Sequence, residues 1–384
     1  MDIRVLQQLA QAAVDDDWRN EGICRQVSLR EVIVVSSFIR KAVLLVCLAM
    51  LALLTGCGNQ AMNANGEPVR VIRIGHNQAE NHPTHIALEA FKEHIEQKLG
   101  NKYKVEIYPN ELLGSQLNMV QLTQTGAIDI CIASNAILGS FSKEYDIFNL
   151  PYLFASPQAY AAAMNDRSVT GTIFRSTTES GFTAVTWLDA GTRNFYAVDK
   201  PINSPADLAG MKVRVQPSKI NVQMMDLLGG SATPMGFGDV YTALQSKIID
   251  GAENNELALT NNGHGDVCKY YSYDMHQMIP DIVIANNRFL DEITDAGDRA
   301  VFEEGFALIN QIECEKWQGA VAEAKRKAQD EQGVIFNYPD QKPFVEATAP
   351  LTQLLLSENP SLREIYERIQ TYNSEYPAAS GKGE

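Results

Sequence analysis

Short apolar strands alternate with helical stretches along this chain, twice over, and that alternation restricts the fold more than any other feature. A run at 69–74 is followed by Leu88, Phe91, Ile95 and Leu99 at helical spacing, with Gly100 placed to stop the helix. Tyr103, Val105 and Ile107 then alternate as a strand. Ser115 offers an N-cap to a helix through Leu117 and Val120 to Gly126, after which Ile128, Ile130 and Ile132 alternate as a third strand. Strands joined by helices in this order give βαβαβ, a parallel sheet covered by helices. A second unit has a strand at 212–216, a helix through Val222, Met225 and Leu228 ending at Gly229-Gly230, and a further helix around Val240 and Leu244. LTQTGAID at 122–129 and ALQSKIID at 243–250 spell the same passage from helix through turn into a strand closing on aspartate. The fold class expected is α/β, with two lobes.

Length agrees, since 384 residues exceed one ordinary core and fit two domains of roughly 150 residues. Beyond Asp291 the pattern changes to helix over 294–332, with Val301, Phe302, Phe306, Ile309, Ile312, Trp317 and Val321 on a recurring face. A helix of that length reaches across both lobes. Amphipathic helix follows at 351–372, and the tail after Tyr376 is expected to fray.

The front of the chain concerns location. Arg40 and Lys41 precede an uncharged run of 13 residues, 42–54, within the signal-peptide range and short of the ~20 residues that span a bilayer. Leu54-Thr55-Gly56-Cys57 resembles a lipobox, in which the thiol is diacylated and the chain is cut ahead of it. An ordinary signal peptide with an incidental cysteine is the alternative. Residues 1–39 are long for an n-region and read as a start codon assigned too early. The product expected is extracytoplasmic and lipid-anchored through Cys57. Its remaining cysteines, Cys131, Cys268 and Cys314, show no CxxC and suit buried thiols better than a disulfide framework or zinc site.

The six acids and six bases of residues 1–56 cancel, so the net charge of −15 belongs to the exported part. That surface argues against nucleic acid or anionic lipid as partner. An acidic ligand must be held by local cations. Arg214 is placed for this: alternation in 211–216 sets it opposite Val213 and Val215, and Pro217-Ser218 marks the carboxyl end of the strand. Open α/β sheets bind ligands at such ends, and a guanidinium offers a planar fork that matches a carboxylate. An arginine snorkelling from a strand edge gives the same pattern.

Lys212-Val213-Arg214-Val215, then 232–245 (ATPMGFGDVYTALQ) and Asp250-Gly251-Ala252-Glu253-Asn254 closely resemble the DctP-like binding proteins of TRAP (tripartite ATP-independent periplasmic) transporters. The likeness extends through 116–129, 148–154 and Gly191-Thr192-Arg193-Asn194, nearly the whole mature chain. It implies a bilobed periplasmic solute-binding fold, with crossing hinge strands and a long helix spanning both lobes. The boundaries expected are 57–68 for a linker, 69–191 with about 281–320 for lobe I, and 192–280 with about 321–376 for lobe II. It further implies a monomer, not an enzyme and without cofactor or metal, that closes over a small organic acid and passes it to a membrane permease.

By position, Arg214 resembles the family's carboxylate-clamping arginine, Arg193 a second cation at the hinge, and Asn254 the amide on the same carboxylate. Asn77, Ser134 and Asn135 match first-lobe positions that meet the rest of the ligand. Residues 78–83, 252–255 and 270–276 resemble the hexuronate-binding branch more than the sialic acid branch, which makes Glu80 and His276 candidates for sugar hydroxyls. Trp187, Tyr196 and Phe237 are candidates for a sugar face, with core packing the commoner role. Lys247 departs from the family's usual glycine at its turn. Two rivals remain: a binding protein that serves a sensor or chemoreceptor, and an exported hydrolase. For the hydrolase, Ser140-Phe141-Ser142-Lys143 spells S-x-x-K, but S-D-N, K-T-G and G-x-S-x-G are absent. His82-x-x-His85 at a His-Pro helix start reads as a cap or turn rather than a metal pair.

Overall fold

The computed structural model of the chain describes residues 62–378, residues 64 and 67 excepted. The leader, Cys57 with its expected lipid, and the last six residues lie outside the described residues. The strands are β1 (Arg70–Gly75), β2 (Tyr103–Tyr108), β3 (Ile130–Ser134), β4 (Phe182–Leu188), β5 (Arg193–Ala197), β6 (Lys212–Val215), β7 (Ser231–Pro234), β8 (Gly251–Asn254), β9 (Tyr270–Gln277), β10 (Asp281–Asn286) and β11 (Ile335–Asn337). They form two sheets, ordered β2-β1-β3-β10-β4 and β11-β9-β5-β8-β6-β7.

In each sheet a parallel trio is built by βαβ connections, β1 between β2 and β3, and β6 between β7 and β8. Antiparallel partners extend both sheets, because the chain crosses between them directly, and β11 adds to β9 in parallel at the edge of the second. It leaves β4 for β5 through 189–192, and returns from β9 to β10 through 278–280. β10 therefore lies antiparallel between β3 and β4, and β5 antiparallel between β8 and β9. These two passages are the crossing strands of a bilobed α/β protein.

The passages at 122–129 and 243–250 fold alike. Gly126 and Lys247 both take the left-handed conformation, at φ 77° and 57°. Asp129 and Asp250 each bond the preceding parallel strand, Asp129 through Arg73 N–H (2.8 Å) and Asp250 through Lys212 N–H (2.8 Å). The family's glycine is thus missing at a turn that still demands positive φ.

A 35-residue helix, Ala296–Asp330, spans both sheets. It is about 52 Å long at 1.5 Å per residue. Near its start Phe306 stacks on Phe91 of the helix Pro83–Leu99, with centroids 5.6 Å apart. Farther on, Trp317 and Ala324 pack with Leu257, and Ala328 joins the core around Tyr196 and Tyr271. Pro360 then interrupts the C-terminal helical stretch. Leu351 and Leu355 of Pro350–Glu358 share a core with Met224 of the helix Lys219–Leu227, whereas Arg363–Glu375 packs on Pro157–Asn165 and Arg167–Arg175. Arg368 Nε there lies 3.0 Å from Asp166. Cys131 and Cys268 are buried free thiols and Cys314 is half-buried.

Candidate functional site

A cavity of about 350 Å³ lies where the carboxyl ends of the parallel strands face each other across the crossing strands. Asn77 follows β1, Gln216 follows β6, Asn254 ends β8, and Arg193 and Asp281 open β5 and β10. Helix starts complete the walls, with Gln116 at the head of Gln116–Thr125 and Phe237 and Asp239 before Val240–Gln245.

Arg214 is buried (3% exposed), while Val213 and Val215 on the other face of β6 belong to the core. One edge of its guanidinium donates twice to Met235 O, from Nε at 3.2 Å and Nη2 at 3.0 Å. The group sits 5.8 Å from the centroid of the Phe237 ring. Nη1 makes no hydrogen bond to any described residue; its nearest acid is Glu253 Oε1 at 4.0 Å. Burial lowers the Arg214 pKa and Glu253 opposes this. An arginine remains charged under such a shift. The result is a cation fixed on one side with donors left on the other.

Arg193 is held more completely. Its Nε meets the Glu253 carboxylate, Nη2 donates to Glu253 O at 2.8 Å, and Nη1 donates to Asn254 Oδ1 at 3.0 Å. Asn254 Oδ1 also accepts from Asn255 N–H (2.9 Å), which leaves its NH2 for the cavity. Behind Arg193 lies a buried relay in which Glu253 Oε2 faces His276 Nε2 at 3.7 Å and His276 Nδ1 meets Asp274 Oδ2 at 2.8 Å. Against burial, Asp274 and Glu253 hold the His276 imidazole up at about 9, and Arg193 and His276 hold the Glu253 carboxyl down.

Among the residues singled out from sequence, Arg214, Arg193, Asn254 and Asn77 share the cavity. Four others do not line it. His276 is fully buried and its ring stacks on Phe195 (4.5 Å), so it acts behind Arg193 rather than on a hydroxyl. Asn135 is also fully buried, its Nδ2 donating to Tyr145 O and Asn149 Oδ1, both at 2.8 Å. Ser134 is buried at the end of β3 and gives its N–H to Gln116 Oε1 at 3.2 Å. Glu80 is exposed in the loop before Pro83. Of the three aromatic candidates, Phe237 lines the cavity, while Trp187 and Tyr196 are core residues that donate or share a proton with Asn165 and His264. His82 caps the helix Pro83–Leu99, its Nδ1 accepting from Thr84 N–H at 3.2 Å.

Gln116, Gln216 and Asp281 line the cavity without having been singled out. Each occupies a position that the ligand-at-strand-ends rule marks: a helix start, the residue after β6, and the residue that opens β10. The rims touch beside the cavity, the Glu111 carboxylate packed against Gly238 and Asn81 Nδ2 lying 3.4 Å from Asn261 Oδ1.

The model of the bacterial extracellular solute-binding proteins, family 7 (DctP), matches residues 74–359. The chain belongs to this family. The family binds solutes outside the cytoplasm, and this member is a TRAP-type receptor of the bilobed α/β class. It is 40% identical over 326 residues to YiiZ of Salmonella typhimurium, covering 84% of this chain and 97% of that protein. A TRAP periplasmic solute-binding protein from Anaerococcus prevotii with bound D-glucuronate is 63% identical, with a TM-score of 0.79 over 80% of this chain and all of that one. One from a Sulfitobacter species with bound β-D-galacturonate is 29% identical, with a TM-score of 0.75 over 79% of this chain and all of that one.

Proposed function

We propose that this family 7 protein captures a hexuronate outside the cytoplasm and delivers it to the membrane subunits of a TRAP permease without transforming it. The observation that carries the ligand is the 63%-identical Anaerococcus protein with its bound D-glucuronate. The cavity supports the same reading. Arg214 Nη1 and the Asn254 NH2 offer donors to the cavity that the held Arg193 also lines, a set that suits a carboxylate. Charge-assisted bonds of this kind are worth about 1.5 to 3 kcal/mol each. Sugar hydroxyls then meet the amides of Asn77, Gln116 and Gln216.

Ligand bridges two walls that belong to different sheets, so it shifts an equilibrium between open and closed arrangements toward the closed one. The Glu111 to Gly238 and Asn81 to Asn261 contacts are the rims of that closed state. Cys57 carries the anchor, on the strength of the lipobox and the 13-residue apolar run before it. Thermal shift and calorimetry across D-glucuronate, D-galacturonate, C4-dicarboxylates, sialic acid and 2-oxo acids test the ligand class. Selective, saturable binding of the uronates is expected; a preference for any other class overturns the hexuronate assignment.

A further inference from the structure

Asp281 opens β10 immediately after Pro280, lines the cavity and is 7% exposed. No hydrogen bond from a described residue reaches its carboxylate. Two further acceptors on the cavity walls also lack a partner, Asn77 Oδ1 from the first sheet and Gln216 Oε1 from the second, and both are buried. A buried acceptor left unpaired costs about 1 to 3 kcal/mol, so a ligand that completes the site must bring donors. Carboxylates bring none. A second carboxylate would also set like charges together, since Arg214 and Arg193 serve the first and Asp281 is an acid lining the same low-dielectric cavity.

We propose that Asp281 is a specificity-determining residue, accepting a hydrogen bond from a ligand hydroxyl and excluding ligands that carry a second carboxylate. The site so built takes polyhydroxylated monocarboxylates and rejects dicarboxylates of similar size. This rests on the cavity being the acid-binding site of the proposed function, and it adds which acids are refused and by which atom.

The surroundings of Asp281 give the discrimination a pH signature. Arg193 on β5 attracts it, while its own charge helps to push up the carboxyl of Glu313 on the long helix and the Tyr160 phenol. Burial pushes the Asp281 carboxyl up to about 6, with Arg193 opposing. An acid in that range is ionised at pH 7.5 and largely protonated at pH 5.5. Protonated, it loses the charge that repels a second carboxylate and gains a donor that can serve one. Dicarboxylates therefore bind better at the lower pH, whereas a monocarboxylate gains much less.

The test is calorimetry of the full chain with D-glucuronate, D-glucarate and malate at pH 7.5 and 5.5, on the wild type, Asp281→Asn and Asp281→Ser. In the wild type both dicarboxylates are expected to tighten by about tenfold or more from pH 7.5 to 5.5. Asp281→Asn should gain about tenfold for them at pH 7.5 and lose that pH dependence, because the charge is gone while an acceptor remains. Asp281→Ser should make the same gain and lose about tenfold for glucuronate. Cooperative melting curves without ligand establish that both variants fold. A dicarboxylate preference and pH profile within twofold of wild type in both variants overturns the proposal. Wild-type binding of a different hydroxy acid in place of uronates would sink the hexuronate reading alone. The ratio between that acid and its dicarboxylate analogue then tests Asp281 in the same way.

Discussion

Replacing each cavity arginine by alanine separates a residue that binds from one that also holds the fold. Arg214 gives its fixed edge to a single backbone carbonyl, Met235 O, and stands 4.0 Å from Glu253. Glu253 keeps Arg193 and His276 when Arg214 is removed. Arg214→Ala should therefore leave an anionic ligand facing an unmatched site, at about 2 to 5 kcal/mol of binding, or roughly 30-fold to several thousand-fold in Kd. Its folding stability should fall by about 1 kcal/mol or less, because loss of the charge-assisted bonds to Met235 O is largely offset by no longer burying the guanidinium. Arg193→Ala instead strips the main counter-charge from a carboxylate with no exposed surface, a loss of about 3 to 5 kcal/mol of stability. Calorimetry with D-glucuronate gives the first quantity and urea unfolding of ligand-free protein the second. Near-native affinity in Arg214→Ala would refute the clamp. Equal stability losses in the two variants would refute the division of labour between them.

Lys247 sits at φ 57°, so Lys247→Gly should raise stability by up to about 1 kcal/mol, seen as a higher urea midpoint at unchanged slope. Gly191 has φ 64° and a Cβ there would lie 2.9 Å from Trp317, so Gly191→Ala should cost about 1 to 3 kcal/mol in the same assay. His276 is held up to about 9, above its unfolded value near 6.5. Its contribution to stability is full below about pH 6.5 and is lost as pH rises through 9. Stability curves against pH should show that decline in the wild type, and His276→Gln should flatten it while lowering stability at neutral pH.

Strand and helix periodicity made the first parallel trio legible, because a strand covered on both faces needs an apolar run and its crossover helix an apolar stripe; in the second it gave β6 and its helix but not β7, whose Ser-Ala-Thr-Pro carries no such run. The buried cation on β6 was legible for a related reason. Arg214 interrupts a strand that alternation otherwise buries, and a charge in that place calls for a partner. Contacts between segments distant in sequence were not legible. Nothing local to Asn135 indicates that its amide will be consumed by Tyr145 and Asn149. His276 likewise looks like a polar side chain on a strand until Asp274 and Glu253 are seen to close round it. Asp281 escaped because one acid before an apolar strand is ordinary in sequence. Only the passage 278–280, which returns the chain from the second sheet to β10, brings it to the cavity.

The two lobes share a geometry in which one position has been put to opposite uses. Asp129 clamps the N–H of Arg73, and Asp250 that of Lys212, so β1 and β6 correspond residue by residue from those points. Strand pairing agrees: Ile74 lies beside Ile130 and Val213 beside Gly251, each partner being the residue after its aspartate. Counting on by one sets Gly75 opposite Arg214. A Cβ on Gly75 would come within 2.9 Å of Met119 Sδ and 3.4 Å of Leu113 Cδ1, so the first lobe has closed this position with apolar side chains and no arginine fits there. In the second lobe the same position opens toward Met235 O and Phe237, and the guanidinium fills it. One lobe therefore carries both cavity arginines, and the other offers the amides of Asn77 and Gln116 and the Asp281 carboxylate. A carboxylate at one end and hydroxyls at the other is the ligand such an asymmetry suits. Two equivalent arginines would suit a dicarboxylate.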